Sequence, residues 1–275
     1  MLKKLGLVVL LAFLLAGCKP GTKGGAKPTP ETRRQLINEM EYAKRPFVVV
    51  FPHPTNKLLT LYIDNVQAEF KSSTLDLEYL SGNALKGGRT SLNFPVNLPY
   101  AQAFLLGSCS SGGKCSFDTD LISGTIKNRL ETGDKGAINI LKSDYVFVSK
   151  GSVISTDGRI NYSPKEKLVN QILLDTQGLP KSIDRELAYS PIAISSISEK
   201  NITGELSFKV KDVKSVMIYN GESYVPLKAT ISAEEVMVSF NQKPWSKTVQ
   251  IVRDDLKGAS ETQNIYLLGP IVLLK

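Results

Sequence analysis

The sequence predicts an all-β fold arranged as two sandwich-like domains. From Phe47 onward, apolar and polar residues alternate with a period of two, which is typical of strands with one buried face. Short apolar segments then recur along the chain, with turn-forming residues between them. Alternating helical and strand segments, which would indicate an α/β protein, are not seen after residue 46.

The chain begins with a segment typical of an export signal. Lys3 and Lys4 precede an uncharged stretch, residues 5–17, which is shorter than the roughly 20 residues needed to span a bilayer. Residues 15–18 read Leu-Ala-Gly-Cys and resemble the lipobox of bacterial lipoproteins. The resemblance implies removal of a signal peptide at 1–17, acylation of Cys18, and attachment of the mature chain to the lipid bilayer. The alternative is an uncleaved anchor with an incidental cysteine.

A tether and a short helix are predicted after the anchor. Residues 18–29 are rich in Gly, Pro and Lys, which favours a flexible basic tether. A short α-helix is predicted for residues 30–45, since Thr29 can cap it and Pro30 suits its first turn. Pro46 would end it. Apolar residues recur in this segment at helical spacing: Leu36, Ile37, Met40 and Ala43.

Strands follow in both predicted domains, 46–150 and 151–275, each expected to be an immunoglobulin-like sandwich. The predicted strands of the first domain are 59–63, 66–70, 75–79, 92–94, 103–106, 124–130, 137–141 and 145–148. Those of the second are 171–174, 192–197, 206–210, 216–219, 224–227, 229–232, 236–240, 249–252, 265–268 and 271–274. Asp157-Gly158 and Asn220-Gly221 predict hairpins with type I′ turns.

The net charge of +8 is concentrated near the anchor. Before residue 46 there are nine basic and three acidic residues, whereas the remaining chain has 25 basic and 23 acidic ones. Basic residues beside a lipid anchor can contact anionic head groups. No basic stripe with interleaved aromatic residues follows, so nucleic acid is not expected as a partner.

Two cysteines remain besides Cys18. In an exported chain, Cys109 and Cys115 predict a disulfide, with free thiols as the alternative. Their spacing differs from that of zinc ligands and from the C-x-x-C pattern of redox-active pairs.

The sequence lacks the motifs of most recognisable catalytic and cofactor-binding sites. The single histidine, His53, lies between two prolines, and no G-x-S-x-G nucleophile turn accompanies it, so a rigid loop position is expected. One histidine excludes a multi-histidine metal centre. The paired glycines match no phosphate-binding motif, and the paired aspartates match no EF-hand. We therefore expect no cofactor and no metal.

Three aromatic residues are candidate ligand contacts: Trp245, Tyr219 and Tyr224. For the sole tryptophan, Trp245, the alternative is a position in the core or at a domain interface. The two tyrosines flank the predicted Asn220 hairpin, and we expect them to pack in or across it. If either is exposed, it is a candidate contact for a partner.

The sequence as a whole favours a membrane-anchored, extracytoplasmic lipoprotein of the cell membrane or outer membrane. Its predicted role is a non-enzymatic binding or structural module of the cell envelope, with an unknown protein or glycan as partner. The alternative is a hydrolase of envelope polysaccharide that uses carboxylates, because such sites leave no local motif. A cavity lined by convergent acids would favour the enzyme, and an exposed apolar or aromatic patch would favour the binding module.

Overall fold

A computed structural model of the chain is all-β, as predicted. It describes residues 35–66, 68–132, 138–149, 151–165 and 170–275. These described residues form one compact unit. The predicted signal peptide, Cys18 and the tether lie outside the described residues. Within those residues, no helix has the length and apolarity required to cross a bilayer.

The strands of the first part of the chain are β1 (Gln35–Ile37), β2 (Phe47–Pro52), β3 (Leu58–Asp64), β4 (Ser72–Ser81), β5 (Ala84–Asn93), β6 (Tyr100–Leu105), β7 (Gly107–Cys109), β8 (Cys115–Phe117), β9 (Leu121–Glu131) and β10 (Ile138–Val148). The later strands are β11 (Val153–Ile154), β12 (Ile160–Pro164), β13 (Gln171–Asp175), β14 (Ile192–Ser196), β15 (Ile202–Phe208), β16 (Ser215–Tyr219), β17 (Tyr224–Pro226), β18 (Thr230–Ile231), β19 (Val236–Gln242), β20 (Trp245–Arg253) and β21 (Ser260–Leu274). Two three-residue 3-10 turns complete the described elements, Tyr42–Lys44 and Asp254–Leu256.

Most strands belong to one large sheet. Its 14 strands follow the order β2-β3-β6-β20-β21-β14-β13-β10-β9-β4-β5, with β1 beside β10 and the β16–β17 hairpin beside β21. A second sheet of five strands has the order β11-β12-β15-β19-β18, and β7 pairs with β8 as a separate ribbon. Most neighbours are antiparallel, whereas β20 pairs with β6 and β1 pairs with β10 in parallel.

Two large apolar cores lie on opposite faces of the middle strands. Core A is formed mainly by β2, β3, β4, β6, β20 and one face of β13. Core B lies between the other face of β13, β14 and β21 and the five-stranded sheet. In β13, Ile172 and Leu174 pack in core A, while Leu173 between them packs in core B. Since side chains alternate across a strand, this strand is buried on both faces.

The predicted division into two sandwich domains at residue 150 is not confirmed. The large sheet takes strands from both sides of that position, because β13 pairs with β10 and β20 pairs with β6. Core A also takes residues from β13, β14, β20 and β21, so it is not enclosed by the first half of the chain alone. An immunoglobulin-like arrangement of each half is likewise not confirmed.

The predicted helix at 30–45 is not confirmed in its described part. Residues 35–37 form β1 instead and pair with Ile138, Asn139 and Ile140 of β10. The Arg45 side chain donates hydrogen bonds to the backbone oxygens of Met40 and Asn38, at 2.7 and 2.8 Å. Pairing with the edge of β10 outweighs the weak preference of this segment for a helix.

Both predicted hairpins form, but neither has a type I′ turn. That turn requires positive φ at both central residues. In the Asp157-Gly158 and Asn220-Gly221 pairs, only the glycine has a positive φ. In the second hairpin, Asn220 Oδ1 accepts hydrogen bonds from the backbone N–H groups of Glu222 and Ser223, at 3.0 and 2.9 Å. The aspartate and asparagine therefore stabilise longer loops through their side chains.

Candidate functional site

A cavity of about 310 Å³ lies at one end of core A. It is bounded by the β2–β3 turn, the start of β3, the loop before β9, the end of β10 and the start of β13. Its apolar wall comes from Leu58, Leu59, Leu106, Leu121, Phe147 and Val148. This volume is at the lower end of the range for small-molecule sites, which are mostly apolar with a few oriented polar groups.

Gln171 is among the polar residues that line the cavity. It begins β13 and is only 1% exposed. Its Oε1 accepts a hydrogen bond from the Tyr162 hydroxyl at 2.9 Å, but no described acceptor pairs with its Nε2. Because side chains alternate along β13, the Gln171 amide lies on the same face as Leu173, towards core B, where Tyr162 is buried.

The charged residues of the cavity wall are the acidic residues Asp118 and Asp120. Asp118 accepts a hydrogen bond from the Tyr79 hydroxyl at 2.7 Å and forms an ion pair with Lys86. Burial raises the pKa of Asp118, but the hydrogen bonds from Lys86 and Tyr79 outweigh it and hold that pKa below its usual value. Asp120 is exposed at the rim. Among the described residues, no Lys or Arg lines the cavity.

His53 also lines the cavity, but its ring is fully engaged. The ring is 4% exposed, and the Thr55 backbone N–H donates to Nδ1 at 3.2 Å. Nε2 therefore carries the proton and donates to Glu261 Oε1 at 2.6 Å. Burial raises the pKa of Glu261, but hydrogen bonds from His53 and Arg253 outweigh it and lower the pKa below its usual value. With both nitrogens occupied, His53 is suited to hold the β2–β3 turn in place.

The predicted disulfide between Cys109 and Cys115 is confirmed, and it closes a ribbon beside this cavity. The two cysteines are directly paired in the β7–β8 ladder, with their Cα atoms 4.0 Å apart. Leu106 and Asp118, which flank the ribbon, both line the cavity, and the Asp118 N–H donates to the Leu106 oxygen at 2.9 Å. The disulfide thus stabilises a projection whose base forms part of the cavity wall.

The structure brings together the three aromatic residues predicted as ligand contacts. Tyr219 stacks edge-on against Trp245, with ring centroids 6.1 Å apart, and lies 5.3 Å from the ring of Tyr224. The indole N–H of Trp245 donates to the Gly269 oxygen at 2.6 Å, and the Tyr219 hydroxyl donates to the Gly221 oxygen. All three rings are partly exposed, and none lines the cavity. Their role as ligand contacts stays a prediction.

A second, smaller cavity of about 130 Å³ is lined by three aspartates, none of which is predicted as a site residue from the sequence. Asp175 ends β13, Asp144 lies on β10, and Asp157 is in the first hairpin turn. Asp157 accepts hydrogen bonds from the hydroxyls of Ser155 and Tyr189 and from the backbone N–H of Arg159. No described residue donates a hydrogen bond to the Asp175 carboxyl group.

The environments of these aspartates separate their pKa values. Burial, followed by the charges of Asp157 and Asp144, raises the pKa of Asp175 to about 7. Burial also acts to raise the pKa of Asp157, but its hydrogen bonds and the charge of Arg159 outweigh burial and lower it. One cavity therefore holds an ionised carboxylate beside a carboxyl group that is partly protonated near neutral pH. That combination is suited to proton transfer.

The described residues contain no group of three or more His, Cys, Asp or Glu side chains placed to hold a metal ion. Comparisons of the chain with models of protein families, with curated proteins and with solved structures found no match. The function must therefore be inferred from the cavities themselves.

Proposed function

We propose that the protein is a lipid-anchored, extracytoplasmic lipoprotein whose folded part binds a small ligand without chemical turnover. The observation that carries the binding function is the cavity of about 310 Å³ with its apolar wall. The likeness of residues 15–18 to a lipobox and the basic segment that follows support the anchor and its location in the cell membrane or outer membrane.

The binding function is tested by analysing small molecules that copurify with the full chain from envelope membranes. Leu121→Trp should fill the cavity, because Leu121 lines it. Ile122→Trp is the matched control, since Ile122 is the next residue of β9, is 47% exposed and does not line the cavity. Mass spectrometry after denaturation should find a compound in the wild type and the Ile122 variant that is lost from the Leu121 variant. Equal recovery from all three proteins would contradict the proposal.

Removal of the Cys18 thiol should release the protein from membranes. Cys18→Ala eliminates the sulfur to which the lipid would be attached, and the basic tether alone provides weaker, salt-sensitive attachment. Fractionation in high salt should find this variant soluble. The control is the double variant Cys109→Ser/Cys115→Ser, which keeps Cys18 and should stay in the membrane fraction. An acylated N-terminal Cys18 peptide is the expected finding by mass spectrometry, and an intact Met1 on the mature chain would disprove the assignment.

A second candidate function is hydrolysis of envelope polysaccharide, and the aspartate-lined cavity favours it. Asp175 would be the general acid that protonates the leaving oxygen, because its pKa of about 7 keeps a proton available. Asp157, whose pKa is lowered, would be the second, ionised carboxylate on the other side of the glycosidic bond. Release of reducing sugar from isolated envelope glycan should then disappear in Asp175→Asn and Asp157→Asn. The exposed Asp184→Asn serves as control. The absence of sugar release by the wild type would remove this candidate.

A further inference from the structure

We propose that two copies of the chain form a dimer through antiparallel pairing of their β5 strands, with Gly88 at the two-fold axis. In this dimer, the Arg89 side chain of each copy pairs with Glu78 of the other. No residue of β5 lines either cavity, so the inference does not depend on the proposed binding function.

Strand β5 has a long edge without a partner strand. It is the last strand in the order of the large sheet, it has ten residues, and no described strand pairs with its second edge. Residues 84–87, Arg89 and Ser91 are exposed, and no proline interrupts the strand. The strand at the other end of the order, β2, is buried along its whole length. An exposed edge presents free N–H and C=O groups, which can pair with another chain.

The β4–β5 hairpin determines which backbone groups face the free edge. Ser81 pairs with Ala84 across a two-residue loop, in which Gly82 has a φ of 55°. The closing pair of such a hairpin exchanges backbone hydrogen bonds, so Ala84 and every second residue after it face β4. Just past β5, the Phe94 N–H donates to the Lys71 oxygen at 3.0 Å, in agreement with this alternation. The outward-facing backbone groups therefore belong to Leu85, Gly87, Arg89 and Ser91.

The side chains of these outward-facing residues share the outer face of the sheet. Leu77 of β4 packs in core A, and it is paired with Gly88 of β5. Because neighbours alternate along a strand, Glu78 and its pair Gly87 lie on the opposite face. An open groove of about 410 Å³ crosses the two strands at Gly87, where no side chain fills it.

Glu78 supplies an unpaired charge in this groove. No described residue forms an ion pair with its carboxylate, whereas Arg89 forms one with Asp76 of its own copy. When Gly87 lies opposite the partner's Arg89, that guanidinium is next in line to Glu78 across the glycine. The two Cα atoms are then about 10 Å apart, which is two strand spacings and within reach of these side chains. The two-fold axis makes the same contact twice.

The neighbouring registers lack this complementarity. Outward-facing residues must lie opposite outward-facing residues, so the register can shift only in steps that keep this match. One shift places the partner's Arg89 opposite the exposed Leu85. The opposite shift brings the two Arg89 side chains face to face, and like charges in that position are destabilising. The charges of β4 and β5 thus favour one register.

Disulfide trapping tests the register in envelope membranes that contain the full chain. Leu85 would lie opposite the partner's Ser91, with Cα atoms about 5.5 Å apart, which suits a disulfide. Mild oxidation of Leu85→Cys/Ser91→Cys should therefore give a covalent dimer. Leu85→Cys alone and Ser91→Cys alone are the controls, because equivalent residues of the two copies would be about 20 Å apart. A dimer that forms as readily in a single variant overturns the register.

Charge reversal tests the contact between Arg89 and Glu78. Sedimentation equilibrium of the full chain in density-matched detergent should find dimers of the wild type. Arg89→Glu and Glu78→Lys should each weaken dimerisation about tenfold or more, since each places like charges together twice. Glu222→Lys, an exposed change outside this sheet edge, is the control and should leave dimerisation unchanged.

A mixture of the two charge variants separates a direct contact from a structural effect. In the mixed dimer, one contact is the native pair and the other joins Glu at position 89 to Lys at position 78. Equal amounts of the two variants should therefore restore dimerisation to near the wild-type level. Failure of the mixture to dimerise, with both variants folded, overturns the pairing of Arg89 with Glu78. A wild type that is monomeric throughout overturns the dimer.

Discussion

Truncation of Leu173 or Leu174 to alanine is expected to lower the free energy of unfolding by about 2–5 kcal/mol in each case. The two side chains are 2% and 1% exposed and are adjacent on β13, yet they point into different cores. Each truncation leaves a cavity that the surrounding sheets cannot fully close. The free energy is measured by urea denaturation of the full chain in detergent.

This pair of variants also tests whether the folded part is one cooperative unit. Since β13 belongs to both cores, both variants should shift the same single transition. Met237→Ala is the control, because Met237 is 38% exposed on β19 and should change stability by less than about 0.5 kcal/mol. Two transitions, with only one of them shifted by each variant, would instead support independent halves.

The all-β class was predictable because burial on one face leaves a direct trace in the sequence. In β15, buried and partly exposed residues alternate from Ile202 to Phe208, and β19 alternates in the same way. The disulfide was predictable because Cys109 and Cys115 are an even pair in a chain whose first residues predict export, once Cys18 is assigned to the lipid.

The shared central layer was not predicted, although the sequence contains a signal for it. Residues 172–174 and 192–194 are continuously apolar, which is the pattern of strands buried on both faces. Both segments are predicted as strands from their apolar character. The absence of alternation in them is the additional signal, because it indicates strands that lie between two cores.

The candidate sites were harder to predict from the sequence, because their residues are far apart along the chain. Gln171 and Leu58 line the same cavity although more than 100 positions separate them. In the second cavity, the pairing of β10 with β13 and the hairpin at residue 157 bring together Asp144, Asp157 and Asp175. No local motif marks such groups. The neighbouring aromatic residues Trp245, Tyr219 and Tyr224 were identified because two of them flank a recognisable hairpin. Their assembly depends on β20 and β16 pairing with successive parts of the same edge of β21, residues 260–267 and 271–274.

Asp175→Asn is expected to stabilise the protein strongly at alkaline pH and very little in acid. The carboxyl group has a pKa of about 7 in the folded state against 3.8 in the reference state, because burial and the charges of Asp157 and Asp144 oppose its ionisation. A difference of about three pKa units corresponds to about 4 kcal/mol. That penalty applies only when Asp175 is ionised, and asparagine cannot ionise.

The sign of the pH dependence follows from proton binding. Between about pH 4 and pH 7 the folded state keeps a proton on Asp175 that the unfolded state has lost, so the wild type loses stability from this group as the pH rises through that range. Below pH 4 both states are protonated and the penalty is absent. Above pH 7 it is complete. The difference between Asp175→Asn and the wild type should therefore grow from near zero at pH 4 to about 4 kcal/mol at pH 8.

Urea denaturation at pH 4, 6 and 8 measures this difference, with Asp184→Asn as the control. Asp184 is exposed and lies outside the aspartate-lined cavity, so its variant should match the wild type at every pH. Comparing variants at each pH cancels the titration of distant carboxyl groups that all three proteins share. A constant difference between Asp175→Asn and the wild type across this range would show that Asp175 ionises normally. Such a result would also remove the protonated carboxyl group on which the hydrolase candidate depends.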